Sequence, residues 1–102
     1  MPLRRTAPPP WAVDRRHLLG LRIGELRRAA ALSQEQLADR IGVERRTIQR
    51  YEAGSRDPRF TDLLLIAAAL DASVVDLVRE ERPPVRREQQ GPPSNPPAPA
   101  SP

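Results

Sequence analysis

The chain has 102 residues and thirteen prolines, twelve of them in the first ten and last twenty residues, so roughly 65 residues remain for one small folded domain. There is no cysteine and only one histidine, His17, which excludes a disulfide framework, a thiolate metal centre and a histidine cluster; no metal or other cofactor is expected, and without a glycine-rich phosphate loop no enzyme chemistry is assembled. A formal net charge of +4 points to a polyanionic partner, and no apolar run approaches the length that would span a membrane.

Residues 1–16 are rich in proline and arginine without a sustained period, the pattern of a flexible arm. Arg4 and Arg5 are candidates to track a minor groove or phosphates, against the plainer alternative of a solvated end, and Trp11 is a candidate to dock on the domain. The domain itself is expected over residues 17–81. Leu19, Ile23, Leu26 and Ala30 recur at intervals of four, three and four and define a first helix. Ser33 with Gln36 three residues later forms a capping box that opens a second helix from Gln34 to about Ile41. Gly42 stops that helix, a third follows from about Arg45, and Gly54 stops the third in the same way. After the Asp57-Pro58 loop, Phe60, Leu63, Ile66, Ala67 and Leu70 define a fourth helix, and Ser73 caps a short fifth containing Val74, Leu77 and Val78. Residues 82–102 hold eight prolines with Gly91, Ser94 and Asn95, too little apolar area to offset ordering entropy, and are expected to be disordered.

The charge is unevenly placed. Residues 40–59 carry six arginines against Glu44, Glu52 and Asp57, whereas residues 60–81 carry Arg79 against five acids. All seventeen basic residues are arginine, for which the codon bias of a genome rich in guanine and cytosine is the simplest explanation.

Between Gln34 and Glu52, Leu37, Ala38, Ile41, Val43, Ile48 and Tyr51 occupy the positions that two helices crossing steeply through a short turn must bury. The polar positions of the third helix are then Arg45, Arg46, Thr47, Gln49 and Arg50. Ser33-Gln34-Glu35-Gln36-Leu37-Ala38, Gly42-Val43, Thr47-Ile48 and Tyr51-Glu52-Ala53-Gly54 together resemble the Cro/C1-type helix-turn-helix proteins, the XRE family, over residues 18–78. The resemblance implies an all-α fold: a compact, lambda-repressor-like domain of five helices, here with disordered N- and C-terminal tails, that binds double-stranded DNA at an operator as a small bacterial transcription regulator or repressor. The cytoplasm is the expected location, with nucleoid association when bound.

By the same resemblance a recognition helix at about residues 44–53 enters the major groove. Glu44, Arg45, Arg46, Thr47, Gln49 and Arg50 become candidate base contacts, with the arginines suited to guanine O6 and N7. Gln34 at the start of helix 2 becomes a candidate phosphate contact. Arg27 and Glu52 resemble a structural ion pair joining helix 1 to the end of helix 3. Arg56 and Arg59 are either phosphate contacts or part of a solvated loop.

Several positions depart from the family pattern. Glu44 stands where serine or threonine usually caps helix 3, so it caps poorly; pairing with an arginine and accepting from cytosine N4 are its alternatives. Ala31 and Asp71 stand where glycine is common after helices 1 and 4, and a different exit geometry is expected there. Leu65 and Val75 replace commoner charged residues; with Leu64 and Val78 they form either an apolar homodimer patch or a thickened core.

Two other functions use the same features. An antitoxin would repress its own operon through this fold and engage a toxin, a protein partner, through the C-terminal tail, which co-purification of a small partner would reveal. An interaction module that has lost DNA binding is disfavoured by the arginine-rich face.

Overall fold

In the computed structural model the protein is described over residues 7–80, and the readings of Arg4, Arg5 and residues 82–102 fall outside that span. The described residues form five helices and no strand: α1 Pro10–Ala29, α2 Gln34–Ile41, α3 Arg45–Ala53, α4 Phe60–Ala69 and α5 Val74–Val78. Each helix places one large aliphatic side chain at the centre. Ile23, Leu37, Ile48, Ile66 and Leu77, from α1 to α5 in turn, are no more than 2% exposed. Tyr51, Ile41, Leu70 and the half-buried Leu19, Leu26, Val43 and Leu63 close around them. With so few buried groups, truncating any of the five to alanine removes about 2–5 kcal/mol.

Helix α1 starts earlier than composition suggests. Residues 10–16, assigned to the flexible arm, are its first two turns. Pro10 occupies the first helical position, where its fixed φ fits and its missing N–H is not needed. Tertiary contacts do the rest: Arg16 Nε donates to the Gly54 carbonyl at 2.7 Å, and Arg15 meets Glu80 at 3.2 Å. Trp11, in the first turn, does not dock but stays 69% exposed. At the other end Ala30 lies past the last helical residue and is exposed, so it does not extend the apolar face of Leu19, Ile23 and Leu26.

The corners after α1, α2, α3 and α4 share one geometry. In each, a residue of positive φ follows the helix: Ala31 (60°), Gly42 (76°), Gly54 (73°) and Asp71 (56°). In each, the next amide reaches back to close a six-residue turn: Leu32 N to Arg27 O, Val43 N to Ala38 O, Ser55 N to Arg50 O and Ala72 N to Ala67 O, at 2.8–3.1 Å. The expectation of a different exit at Ala31 and Asp71 is therefore corrected. Burial of Leu32 in the core holds the first corner in the left-handed form although alanine disfavours it. Replacing Ala31 with glycine should relieve that strain and stabilise the domain by about 1 kcal/mol. Calorimetry should show this as a melting temperature raised by roughly 5 °C.

Candidate nucleic-acid interface

The α2–α3 pair forms the helix-turn-helix. Ser33 Oγ accepts from the Gln36 amide at 3.0 Å and the Gln36 side chain accepts from the Ser33 amide at 2.8 Å, which fixes where α2 begins. Buried Leu37, Ala38 and Ile41 seat α2, the Gly42 corner redirects the chain, and α3 packs Ile48 and Tyr51 inward. Since successive helical residues turn by roughly 100°, the exposed residues Arg45, Arg46, Gln49, Arg50 and Ala53 share an arc of about 140° on the opposite side. Thr47 sits at the edge of this arc and is half-buried. Glu44 precedes α3 in an extended conformation, exposed, with no hydrogen bond from its side chain to the helix end.

A polar network fixes α3 against the rest of the domain. Arg27 makes a two-point contact with Glu52, Nε to Oε2 at 2.7 Å and Nη2 to Oε1 at 3.1 Å, and its third nitrogen donates to the Leu32 carbonyl at 2.8 Å. Both side chains are nearly buried, at 11% and 10% exposure. Gln34 donates to Glu52 Oε1 at 3.0 Å, so one carboxylate ties the start of α2 and the last turn of α1 to the end of α3. Gln34 itself remains half-buried at the first position of α2.

On its other side Tyr51 donates its hydroxyl proton to Asp62 of α4, the one charged residue buried among the described residues. Desolvation, followed by the hydrogen bond to Asp62 and its negative charge, pushes the Tyr51 phenol above its ordinary range near 10. The folded phenol thus keeps its proton to higher pH than the unfolded one, and stability should fall as pH rises past about 10. With no lysine, no cysteine and one tyrosine in the chain, no other side chain titrates in that window. Thermal melts from pH 8 to pH 11 should show the decline, and Tyr51→Phe should flatten it while lowering stability at every pH.

The arginines divide by partner. Arg15, Arg16, Arg22, Arg27 and Arg79, all on α1 or after α5, each approach a carboxylate within 4 Å. Arg45, Arg46, Arg50 and Arg56 are exposed and make no ion pair among the described residues; Arg28 and Arg40 are likewise unpaired. Arg59, 82% exposed, reaches the buried Asp62 only at 3.9 Å. The unpaired charge is therefore concentrated on α3 and the loop after it, beside the amide-rich start of α2.

Two contributors were not anticipated. Gly20 and Gly24 are buried on α1. A Cβ on Gly20 would fall 2.5 Å from the Glu52 carbonyl oxygen and closer still to that of Tyr51, so its bare backbone lets α1 approach the end of α3. Their four-residue spacing inside a helical stretch is the signal that marks them. Arg16 and Asp62 carried no such signal, because their partners lie far along the chain. The candidate dimer residues Leu64, Leu65, Val75 and Val78 are 42–62% exposed, away from α3.

No described helix is long and apolar enough to cross a membrane. The profile of a helix-turn-helix family, HTH_3, matches residues 23–77. The HTH-type transcriptional regulator YobD of Bacillus subtilis is 40% identical over 53 residues, which is 52% of this chain and 47% of YobD. The HTH-type transcriptional regulator y4dJ of Sinorhizobium fredii is 36% identical over 66 residues, 65% of this chain and 86% of y4dJ. The match thus spans about half of YobD but most of y4dJ. Among solved structures, the restriction-modification controller protein C.AhdI from Aeromonas hydrophila superposes with a TM-score of 0.62 at 35% identity, over 64% of this chain and 94% of that one. With five helices, a capped α2, a Gly42 turn and an exposed polar α3 in place, the chain belongs to the HTH_3 (XRE) family of helix-turn-helix DNA-binding transcriptional regulators.

Proposed function

We propose that this protein binds an operator in a sequence-specific way, with α3 in the major groove of double-stranded DNA. The observation that carries the reading is the set of unpaired arginines on α3. A guanidinium without a carboxylate partner is free to donate to guanine O6 and N7, and the paired arginines on α1 and after α5 are not. Arg45, Arg46, Gln49 and Arg50 then meet base edges, and Thr47 does so from the margin of the exposed arc. Gln34, held by Glu52 beside the free amides of α2, and Arg56 and Arg59 in the following loop take phosphates. A homodimer formed through Leu64, Leu65, Val75 and Val78 would set two half-sites about one helical turn apart.

Selection from a random DNA pool, followed by salt titration of the winner, tests this. The expected product is a two-fold related site containing guanines. Arg46→Ala should lose preference at one base position by about 5- to 150-fold. Arg56→Ala should instead weaken all sequences alike and reduce the salt slope by about 0.9. A pool with no enriched sequence and an affinity set by salt alone would overturn the reading.

A further inference from the structure

We infer that Glu44 is a specificity-determining residue that selects cytosine at one position of each half-site, an inference that rests on the operator-binding reading above. Glu44 has no structural task for its side chain. At the other two capped helices, Ser33 and Ser73 each accept from the amide three residues on and are met in return by Gln36 and Asp76. At α3 the Glu44 side chain makes no such bond, and the Thr47 amide is taken instead by the Glu44 backbone carbonyl at 2.9 Å. The carboxylate also forms no ion pair with Arg45, Arg46 or Arg50 among the described residues. It is exposed at the first turn of α3, an acceptor-only group beside a row of donors.

The major groove offers such a group few partners. Guanine presents two acceptors and thymine one, beside its methyl, so both repel a carboxylate. Adenine presents the N6 amino group next to the N7 acceptor, so a carboxylate gains one bond and meets one lone pair. Cytosine presents the N4 amino group with no acceptor beside it on the groove edge, and it alone satisfies the carboxylate without an opposing cost. The guanine paired with that cytosine displays O6 and N7 in the same groove, within the domain of Arg45 or Arg46, so one base pair is recognised by both signs of charge. A wrong base leaves a carboxylate facing acceptors, and phosphates repel it throughout. Glu44 therefore improves discrimination at the expense of general affinity.

This separates a reader from a solvated acid. Site selection is run on the unaltered protein, Glu44→Gln and Glu44→Ala; because the side chain has no intramolecular bond, circular dichroism of all three should coincide. The unaltered protein should enrich cytosine at one position per half-site. Glu44→Gln, whose amide both donates and accepts, should shift that position to adenine. Glu44→Ala should lose preference there by about 10- to 100-fold while binding unrelated DNA more tightly. All other positions should be unchanged. Identical preferences in the three proteins would overturn the inference and leave the operator reading intact, whereas failure of the unaltered protein to enrich any sequence would remove both.

Discussion

Glu52→Ala should lower the unfolding free energy by about 3 kcal/mol, measured by urea denaturation of otherwise identical proteins. The loss exceeds that of a surface ion pair because the Arg27 guanidinium stays nearly buried with only the Leu32 carbonyl to meet it, and Gln34 loses its acceptor at the same time. A domain of this size has roughly 4–10 kcal/mol in all, so the variant sits near the threshold of folding at physiological temperature. Replacing both partners with methionine should cost less than the sum of the single changes, since an apolar pair leaves no stranded charge. A Glu52→Ala midpoint within experimental error of the unaltered protein would mean that the network does not hold α1 to α3.

The second large effect comes from the absence of a side chain. Gly20→Ala should destabilise by about 3 kcal/mol or more, because the added carbon meets the backbone carbonyls of Tyr51 and Glu52, which cannot swing aside as a side-chain tip can. The change should appear as a lowered urea midpoint together with a parallel loss of DNA affinity, as α3 shifts away from α1. Gly24→Ala is the control. There the nearest atoms, at 3.2 and 3.3 Å, belong to the side chains of Arg28 and Glu52, and a much smaller loss is expected. Equal losses at the two positions would refute backbone contact as the cause.

What could be read in the sequence, and what could not, follows from the range of the interactions. The capping boxes at Ser33 and Ser73, the stops at Gly42 and Gly54, and the apolar spacing of α2 to α5 are local signals, each complete within one or two turns. The first two turns of α1 were hidden because proline and arginine signal an arm, and it is the distant Gly54, Asp57 and Glu80 that hold Arg15 and Arg16 in a helix. The corners at Ala31 and Asp71 were hidden for a related reason. Local preference disfavours a left-handed alanine, and burial of the following Leu32 overrules it. The exposed polar face of α3 was legible by residue type, but the division between paired and unpaired arginines was not, since the acids that neutralise Arg15, Arg16 and Arg27 lie 25 or more positions away.

The placement of those unpaired arginines bears on what happens before contact. Residues 60–80, which build α4 and α5, carry one arginine against Asp62, Asp71, Asp76 and Glu80, while free guanidinium groups cluster on α3 and the loop behind it. The described domain is thus an electric dipole whose positive pole coincides with α3. In the field of a polyanion such a body experiences a torque as well as a pull, and over the last Debye length, about 8 Å at physiological salt, it rotates into register while still separated by solvent. Collisions that would otherwise be wasted on the acidic side are turned into productive ones, so the rate of encounter is governed by how the charge is arranged and only weakly by its total.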